Sequence, residues 1–196
     1  MEPVMIASLP WYVAVGASGS QGLRDILDLL SCMPTRCNAV FLVVLHRPSD
    51  GRSDLLNVLR THVPLPVRIA AEAEALAAGT CYIGEPAELL TLAAQGHAAM
   101  VNGEDNVFRN RTVDLLFDSV GNFAGGKAIG IVLSGALDDG SRGLATIHRA
   151  GGMTMVLDPD GTARGMQQNA IDFNRPVDFV GSCGEIAAAI RKKIGA

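Results

Sequence analysis

Residues 11–22 read WYVAVGASGSQG, a stretch that indicates the fold class of the whole chain. Residues 11–15 form a short apolar run of the kind that a strand buried on both sides requires. The run stops at Gly16 in a string of small residues, and a helical spacing of apolar residues follows from Gln21. A strand that ends in a glycine-rich turn and continues into a helix predicts the first β–α unit of an α/β domain.

The overall composition is that of a compact globular protein. The 196 residues suffice for one sizeable core, and 48% of them are hydrophobic and 18% charged. The net charge of −4 argues against a nucleic-acid partner, because such binding depends on neutralised phosphates. No apolar run approaches the ~20 residues that cross a bilayer, so no membrane insertion is expected. Residues 1–10 lack the positive charge of a signal peptide, and we expect a cytoplasmic location.

The four cysteines are scattered and form no Cys-x-x-Cys pair. They stand at positions 32, 37, 81 and 183. The four histidines show no paired ligand spacing either, so no metal site is expected. Reduced thiols agree with the expected cytoplasmic location.

Strand and helix patterns alternate along most of the chain. The predicted strands are residues 11–15, 40–45, 66–70, 128–133, 153–157 and 177–180, and the predicted helices are 21–30, 50–59, 112–123, 141–150, 167–171 and 184–194. Residues 81–83, 89–92 and 97–101 are short apolar runs between turn residues, which predicts antiparallel strands or a hairpin. We therefore expect an α/β fold with a doubly wound, mostly parallel sheet (Rossmann-like, three layers) and an added antiparallel β-hairpin. Residues 1–10 are expected to form an N-terminal arm, and residues 11–196 a single domain.

Two predictions concern polar side chains on these helices. The first helix has one apolar face, formed by Leu23, Ile26, Leu27 and Leu30. Asp25 and Asp28 then fall on its exposed side. At the start of the helix 112–123, Thr112 is the expected N-cap, because a threonine hydroxyl can accept a hydrogen bond from a free N–H of the first turn.

Polar side chains follow three of the predicted parallel strands. Ser18 follows the first strand, His46 the second, and Asp138 and Asp139 the strand at 128–133. Ligands of open α/β sheets bind at the carboxyl ends of the strands. A hydroxyl, an imidazole and a carboxylate are the parts of a nucleophilic triad, in which the ring takes the hydroxyl proton and the carboxylate orients the ring. Alone, each residue is more often a loop, structural or turn residue; together they predict a serine hydrolase site.

Six segments in the same order carry a family resemblance. They are VAVGASGSQG, VVLHRPSDG, CYIGEPAELL, RTVDLLFDSV, LSGALDDGSRGL and RGMQQNAI. These segments resemble the strand ending in Gly-Ala-Ser-x-Gly, the His-Pro strand end, the Tyr-Ile segment, the Ser/Thr-Val-Asp helix, the Asp-Gly loop and the Gly-Met turn of the chemotaxis protein-glutamate methylesterases. The likeness extends from about residue 11 to the end of the sequence. It implies the catalytic domain of that family, with a doubly wound parallel sheet and an added antiparallel hairpin.

The resemblance also implies an activity and a set of site residues. The reaction removes methyl esters from glutamate side chains of receptor helices and releases methanol, and a glutamine deamidase activity often accompanies it. Ser18 is the implied nucleophile, His46 the base and Asp139, directly before the glycine of the loop, the residue that orients His46. The Gly19 N–H, with an amide near Ala136, is expected to bind the oxyanion. Both reactions pass through an acyl-enzyme, so no cofactor is expected.

The implied partners are the helices of methyl-accepting chemotaxis receptors. No receiver domain is expected within residues 1–10, so control through phosphorylation is expected to act through a separate regulatory protein or to lie in a longer protein of which this sequence is a fragment. Ser20 and Gln21 stand where the family has glycines, and Gln167 stands where it commonly has proline. The altered serine turn leaves open a second interpretation, a methylesterase-like binding or regulatory protein with reduced activity.

A nucleotide-binding α/β module is a third interpretation. Gly16, Gly19 and Gly22 follow the first strand and open a helix, as in phosphate-binding turns. Their spacing is Gly-x-x-Gly-x-x-Gly, however, and the dinucleotide fingerprint is Gly-x-Gly-x-x-Gly. The second strand also ends in His46, where a ribose-binding module would place an acidic residue.

Overall fold

A seven-stranded sheet forms the centre of the computed structural model, which describes residues 9–46, 54–85, 88–102, 111–136, 138–159, 161, 165–173 and 177–196. The strands in these ranges are β1 Trp11–Ser18, β2 Ala39–His46, β3 Val67–Ile69, β4 Thr80–Ile83, β5 Glu88–Leu92, β6 Ala98–Asn102, β7 Ala128–Val132, β8 Met153–Leu157 and β9 Phe179–Gly181. The α-helices are α1 Gly19–Ser31, α2 Leu55–His62, α3 Thr112–Ala124, α4 Ser141–Arg149, α5 Met166–Asp172 and α6 Cys183–Ile194. The predicted arm, residues 1–10, lies outside the described residues except for Leu9 and Pro10, as do residues 50–53 of the second predicted helix.

The strand order is β3-β4-β2-β1-β7-β8-β9, and every neighbouring pair in this sheet is parallel. The strands β5 and β6 form a separate antiparallel pair. The predicted fold class, a doubly wound parallel sheet with an added antiparallel hairpin, is therefore confirmed. One assignment within it is wrong, because β4 is a parallel strand between β3 and β2 and not a member of the hairpin.

Two apolar layers sandwich the sheet, which explains the continuous burial of β1. Val13, Val15 and Ala17 pack into the layer that holds buried side chains of α1, α2 and α6. Tyr12 and Ala14 point to the opposite layer, which holds those of α3, α4 and α5. We call this second side the α3 face of the sheet. Because both faces are covered, a strand in the middle must be apolar at every position rather than at alternate ones.

The buried face of the first helix differs from the predicted one. Its buried residues are Gly22, Asp25, Ile26, Leu29 and Leu30, and Leu23 and Leu27 are only partly buried. The prediction that Asp25 is exposed is therefore wrong, although Asp28 is exposed as expected. The shift brings the small residue at position 22 and the carboxyl group at position 25 against the sheet.

The chain reverses its direction of travel across the sheet at β1. The chain first adds β2, β3 and β4 on one side of β1. It then adds β7 directly beside β1 on the other side, followed by β8 and β9. Ligands of open α/β sheets bind in the crevice at such a switch point, outside the carboxyl ends of the strands. None of the described helices combines the length and the apolar character that a membrane span needs.

Candidate active site

Ser18 is the last residue of β1 and stands at the N-cap position of α1. Its backbone is extended, with φ −141° and ψ 142°, and its hydroxyl makes no capping hydrogen bond to the helix. The next residue, Gly19, has φ +71°, a left-handed conformation that glycine adopts without strain. The chain therefore turns sharply from strand to helix at Gly19. The half-buried Ser18 hydroxyl is not engaged by the helix, unlike that of an ordinary serine cap.

His46 is the last residue of β2 and lies beside Ser18 on the neighbouring strand. The two residues are paired in the parallel register, and adjacent strands are about 4.8 Å apart. Residues paired in this way project to the same side of a sheet. Here that side is the α3 face, because Ser18 continues the alternation of Tyr12 and Ala14 on β1, and their partners Val40 and Leu42 on β2 pack on the same face. Partial burial lowers the pKa of His46 below 6.5. The ring is therefore neutral near pH 7 and can accept a proton.

Asp139 is fully buried in the loop after β7, whereas its neighbour Asp138 is exposed. Its two carboxylate oxygens accept hydrogen bonds from the N–H groups of Val113 and Asp114, at 2.9 and 2.8 Å. The Thr112 hydroxyl adds a longer one of 3.4 Å. Asp139 thus caps α3, and the prediction of Thr112 as N-cap is wrong. Burial raises the pKa of Asp139 to about 6, although the two N–H donors counteract part of that rise.

The start of α3 lies directly on β1, two residues before the proposed nucleophile. A Cβ added to Gly16 would lie 2.9 Å from Cγ2 and 3.1 Å from Cβ of Val113, and Cγ1 would be closer still. Only a glycine allows the helix to approach the strand this closely. Since Asp139 holds the N–H of the same Val113, its carboxyl group is on the α3 face near the end of β1. This is the face to which Ser18 and His46 project.

A second buried carboxylate fastens the other side of this loop. One oxygen of Asp114 accepts hydrogen bonds from the N–H groups of Gly140 and Gly143, at 3.0 and 2.8 Å. Asp139 therefore binds the start of α3, and Asp114, within that first turn, binds the start of α4. Anions are favoured at both positions because helix N-termini present free N–H groups and a partial positive charge. Burial raises the pKa of Asp114 as well.

The loop after β7 also contacts Ser18 directly. The Ser134 carbonyl accepts a hydrogen bond of 2.9 Å from the Ser18 N–H, and a Cβ on Gly135 would lie only 2.8 Å from the Ser18 Cβ. The Gly135 carbonyl in turn accepts a bond of 2.8 Å from the N–H of Met166 at the start of α5. Ala136, the next residue, is exposed, as is Gly19. The two residues with the expected oxyanion donors thus flank Ser18 on an accessible rim.

Two further polar residues beside this loop had no predicted role. Ser134 lies in the segment LSGALDDGSRGL, and Gln167 stands where the family commonly has proline. The Gln167 side-chain amide donates a hydrogen bond of 3.2 Å to the Ser134 hydroxyl, so it holds the loop from the α5 side. In the sequence, only the replaced family proline marks Gln167, because helical periodicity does not reveal a bond across 33 residues.

The three proposed catalytic side chains lie on the same face of the sheet but are not bonded to one another. Within the described ranges, no hydrogen bond links the side chains of Ser18, His46 and Asp139. Catalytic hydrogen bonds are often long before a substrate binds, so the separation does not remove the chemistry. The same described residues include no group of three or more His, Cys, Asp or Glu side chains that could hold a metal ion.

Comparisons with known proteins agree with this fold and identify a family. The sequence model of the family described as CheB methylesterase matches residues 13–190. A protein-glutamate methylesterase/protein-glutamine glutaminase of Paramagnetospirillum magneticum is 32% identical over 186 residues, which cover 94% of this chain and 51% of that protein. A protein of the same name from Mesorhizobium japonicum is 31% identical over 170 residues, which cover 86% of this chain and 50% of that protein. The chain thus spans about half the length of these curated relatives.

A solved structure gives the same result for the fold. The crystal structure of the Thermotoga maritima CheB methylesterase catalytic domain superposes with a TM-score of 0.84 at 23% sequence identity. The superposition covers 94% of this chain and 99% of that domain. The fold is therefore that of a methylesterase catalytic domain over nearly the whole length of both chains.

Proposed function

Since the chain belongs to the CheB methylesterase family, we propose that it is a serine esterase that removes methyl esters from glutamate side chains of chemoreceptors. The observation that carries this proposal is the register of the two central strands, which pairs Ser18 with His46 on one face of the sheet. A hydroxyl next to a neutral imidazole is the minimum that nucleophilic acyl transfer needs. The family match gives no support to the nucleotide-binding alternative.

In the proposed first step, the Ser18 oxygen attacks the ester carbonyl while His46 takes the hydroxyl proton. The carbonyl π electrons move to oxygen, and the N–H groups of Gly19 and Ala136 stabilise that oxyanion. When the intermediate collapses, the bond to the methoxy group breaks and His46 returns its proton, so that methanol leaves. The products of this step are methanol and a glutamyl ester of Ser18.

In the second step, a water molecule attacks the acyl-enzyme and gives its proton to His46. Collapse breaks the bond to the Ser18 oxygen, which regains the proton, and a free glutamate side chain is released. A glutamine side chain would follow the same route with ammonia as the leaving group. No step requires a cofactor. The ionised carboxylate of Asp139 is proposed to stabilise the His46 imidazolium that forms in both steps.

The proposed partners are the receptor helices that carry the methylated glutamates. A separate regulatory protein is the second proposed partner. The whole domain, from Trp11 onward, is proposed to act as one catalytic unit. Its location is proposed to be the cytoplasm, where the methylated receptor segments are expected.

Methanol release from methylated receptor tests the proposal. Ser18→Ala and His46→Ala should each lower the rate by at least about 10³-fold, since both groups act in one unit. Asp139→Ala should cause a comparable loss of about 10⁴-fold if it orients the ring, whereas Asp138→Ala, on the exposed neighbour, should stay within twofold of wild type. Wild-type release no faster than that of Ser18→Ala would refute the assignment.

A second candidate function is a methylesterase-like binding protein with reduced activity. It is favoured by the missing hydrogen bond between Ser18 and His46 in the described structure and by Gln21, which replaces a family glycine in the serine turn. A serine-directed fluorophosphonate separates the two functions. Labelling that Ser18→Ala abolishes supports the esterase; no labelling of a folded wild-type protein that still binds receptor supports the binding protein.

A further inference from the structure

Asp25 on α1 is a buried carboxylate outside the three proposed catalytic groups. It is only 4% exposed, although the helical pattern predicts an exposed position. One of its oxygens accepts a hydrogen bond of 3.2 Å from the N–H of Ser134, in the loop after β7. The other accepts a bond of 2.9 Å from the side-chain amide of Gln21. A buried carboxylate is costly unless it is hydrogen-bonded, so these partners hold it in place.

Ser134 also lies against the first turn of α1 through its carbonyl group. A Cβ on Gly22 would lie 2.7 Å from the Ser134 oxygen and 2.8 Å from the Ala17 Cβ. The same carbonyl accepts the 2.9 Å bond from the Ser18 N–H. Ser134 therefore presents its N–H to Asp25 and its carbonyl to Ser18, so it bridges the helix and the nucleophile turn.

The partners of Asp25 are themselves fixed. The Gln21 side-chain oxygen accepts two hydrogen bonds from the Arg24 guanidinium, at 2.6 and 3.1 Å. These bonds leave the Gln21 amide nitrogen turned toward Asp25. On the far side, the Gln167 amide holds the Ser134 hydroxyl. Ser134 is thus restrained through its N–H, its carbonyl and its side chain.

We propose that Asp25 is a positioning residue of the esterase: by holding the Ser134 N–H, it sets residues 134–136 against Ser18 at the spacing that lets the Ala136 and Gly19 amides bind one oxyanion. This inference rests on the proposed function. Oxyanion donors act only when they lie about 2.7–3.1 Å from the oxyanion. A misplacement of about 1 Å can lower a rate by about 10²-fold.

The geometry specifies a carboxylate and not merely a polar side chain. Both Asp25 oxygens accept hydrogen bonds, and both donors, a backbone N–H and an amide NH₂, can only donate. Asparagine has almost the same volume but only one acceptor oxygen. If that oxygen accepts the hydrogen bond from the Ser134 N–H, the asparagine NH₂ group faces the Gln21 NH₂ group, and two donors meet. Asp25→Asn should therefore retain part of the function, and Asp25→Ala should retain less.

The experiment measures the labelling of Ser18 by a fluorophosphonate in the full chain, as a function of reagent concentration. The phosphonyl oxygen requires the same amide donors as the ester oxyanion. We expect Asp25→Ala to lower the maximal labelling rate constant by about 10- to 100-fold, and Asp25→Asn to lower it by about 3- to 10-fold. The half-saturating reagent concentration should stay within twofold. Asp28→Asn, on the exposed side of the same helix, is the matched control and should react like wild type.

Hydrogen exchange of the Ser134 amide is measured on the same proteins. We expect exchange at least tenfold faster in Asp25→Ala than in wild type, with no change in Asp28→Asn. If Asp25→Ala does not fold, the labelling rate constant of Ser18 and the hydrogen exchange of the Ser134 amide in Asp25→Asn test the positioning role, because that variant keeps the volume of the side chain.

The outcomes separate this inference from the proposed function. A folded wild-type chain that is not labelled at Ser18 contradicts the proposed function. A labelled wild type with an Asp25→Asn or Asp25→Ala rate constant within twofold of it leaves the esterase intact and overturns the positioning role. A loss seen only as a lower melting temperature, with unchanged maximal rate and unchanged Ser134 exchange, also overturns it, since a purely structural residue would behave in that way.

Discussion

Replacing Gly16 by alanine should destabilise the fold at the point where α3 touches the candidate site. The new methyl group would lie 2.9 Å from Cγ2 and 3.1 Å from Cβ of Val113. Rotation about χ1 of the valine cannot relieve the contact, because its Cβ is itself too close. To restore ordinary carbon–carbon separations of about 3.5–4.0 Å, α3 must move away from β1 by roughly half an ångström or more.

Two effects contribute to the expected loss of stability. Overpacking of a well-packed core costs about 1–3 kcal/mol. The movement also lengthens the bonds from the Val113 and Asp114 N–H groups to Asp139, and hydrogen bonds to charged groups contribute about 1.5–3 kcal/mol when intact. We therefore expect Gly16→Ala to lower the free energy of unfolding by about 2–4 kcal/mol. For a domain of this size, the melting temperature should fall by roughly 5–15 °C.

Urea unfolding, followed by far-UV circular dichroism and by the fluorescence of the single tryptophan, Trp11, measures this loss. Gly184→Ala on α6 is the matched control, because no atom lies within 4 Å of a Cβ added there and its φ is not left-handed. Alanine is the better helix former, so this control should gain about 0.5–1 kcal/mol. A Gly16→Ala variant within about 0.5 kcal/mol of wild type would show that the proposed steric conflict is wrong.

A double-mutant cycle identifies the atoms responsible. Val113→Ala removes both Cγ atoms from a fully buried side chain and should cost about 2 kcal/mol on its own. In Gly16→Ala/Val113→Ala, the new methyl group takes up part of the vacated space. The double variant should therefore lose less than the sum of the single variants, by about 2 kcal/mol. Additivity within about 0.5 kcal/mol refutes the assignment of the conflict to Val113.

Three other predictions follow from the buried carboxylates and the last helix. Burial raises the pKa of Asp139 from 3.8 to about 6, so the folded state binds this proton more tightly than the unfolded state. The stability that Asp139 contributes is therefore fully present below about pH 4 and is lost as the pH rises through about 6. The free energy of unfolding, measured by urea titration at each pH in this window, should fall more steeply with pH for wild type than for Asp139→Asn. Asp114→Ala leaves two buried N–H groups unpaired and should lower the free energy of unfolding by about 2–5 kcal/mol, whereas Asp114→Asn, which keeps an acceptor oxygen, should lose less than half as much in the same assay. Ser182→Ala removes the capping box of α6 and should lower the melting temperature by about 2–4 °C in a calorimetric scan; no change would show that Glu185 alone holds this helix end.

The elements of the sheet were predictable wherever the local pattern has one physical explanation. The apolar run at 40–45 has no alternation, which is compatible only with burial on both faces, and β2 is central in the sheet. The run at 81–83 has the same apolar character but too few residues to indicate a direction or a partner. The prediction that it belongs to antiparallel strands is wrong, because strand pairing depends on where the rest of the fold positions the segment.

The candidate site, too, was predictable from the sequence only in part. The positions of Ser18 and His46 at strand ends are visible in the sequence, since a change from apolar to small and polar residues ends each strand. Their pairing side by side is set by the register of two strands separated by a whole helix. Local spacing predicts Thr112 as the cap of α3, but the cap is Asp139, a residue 26 positions from the Val113 it binds.

The sequence by itself determined the order of strands and helices, the class of fold and the three kinds of chemical group at the strand ends. These properties depend on side chains near one another in the chain, whose periodicity records which faces are buried. Only the tertiary structure decided that β4 joins the parallel sheet, that Asp139 caps α3 and that Asp25 is buried beneath the loop beside Ser18. Each of these depends on hydrogen bonds between residues far apart in the chain, which form only when the packing of helices on the sheet brings donor and acceptor together.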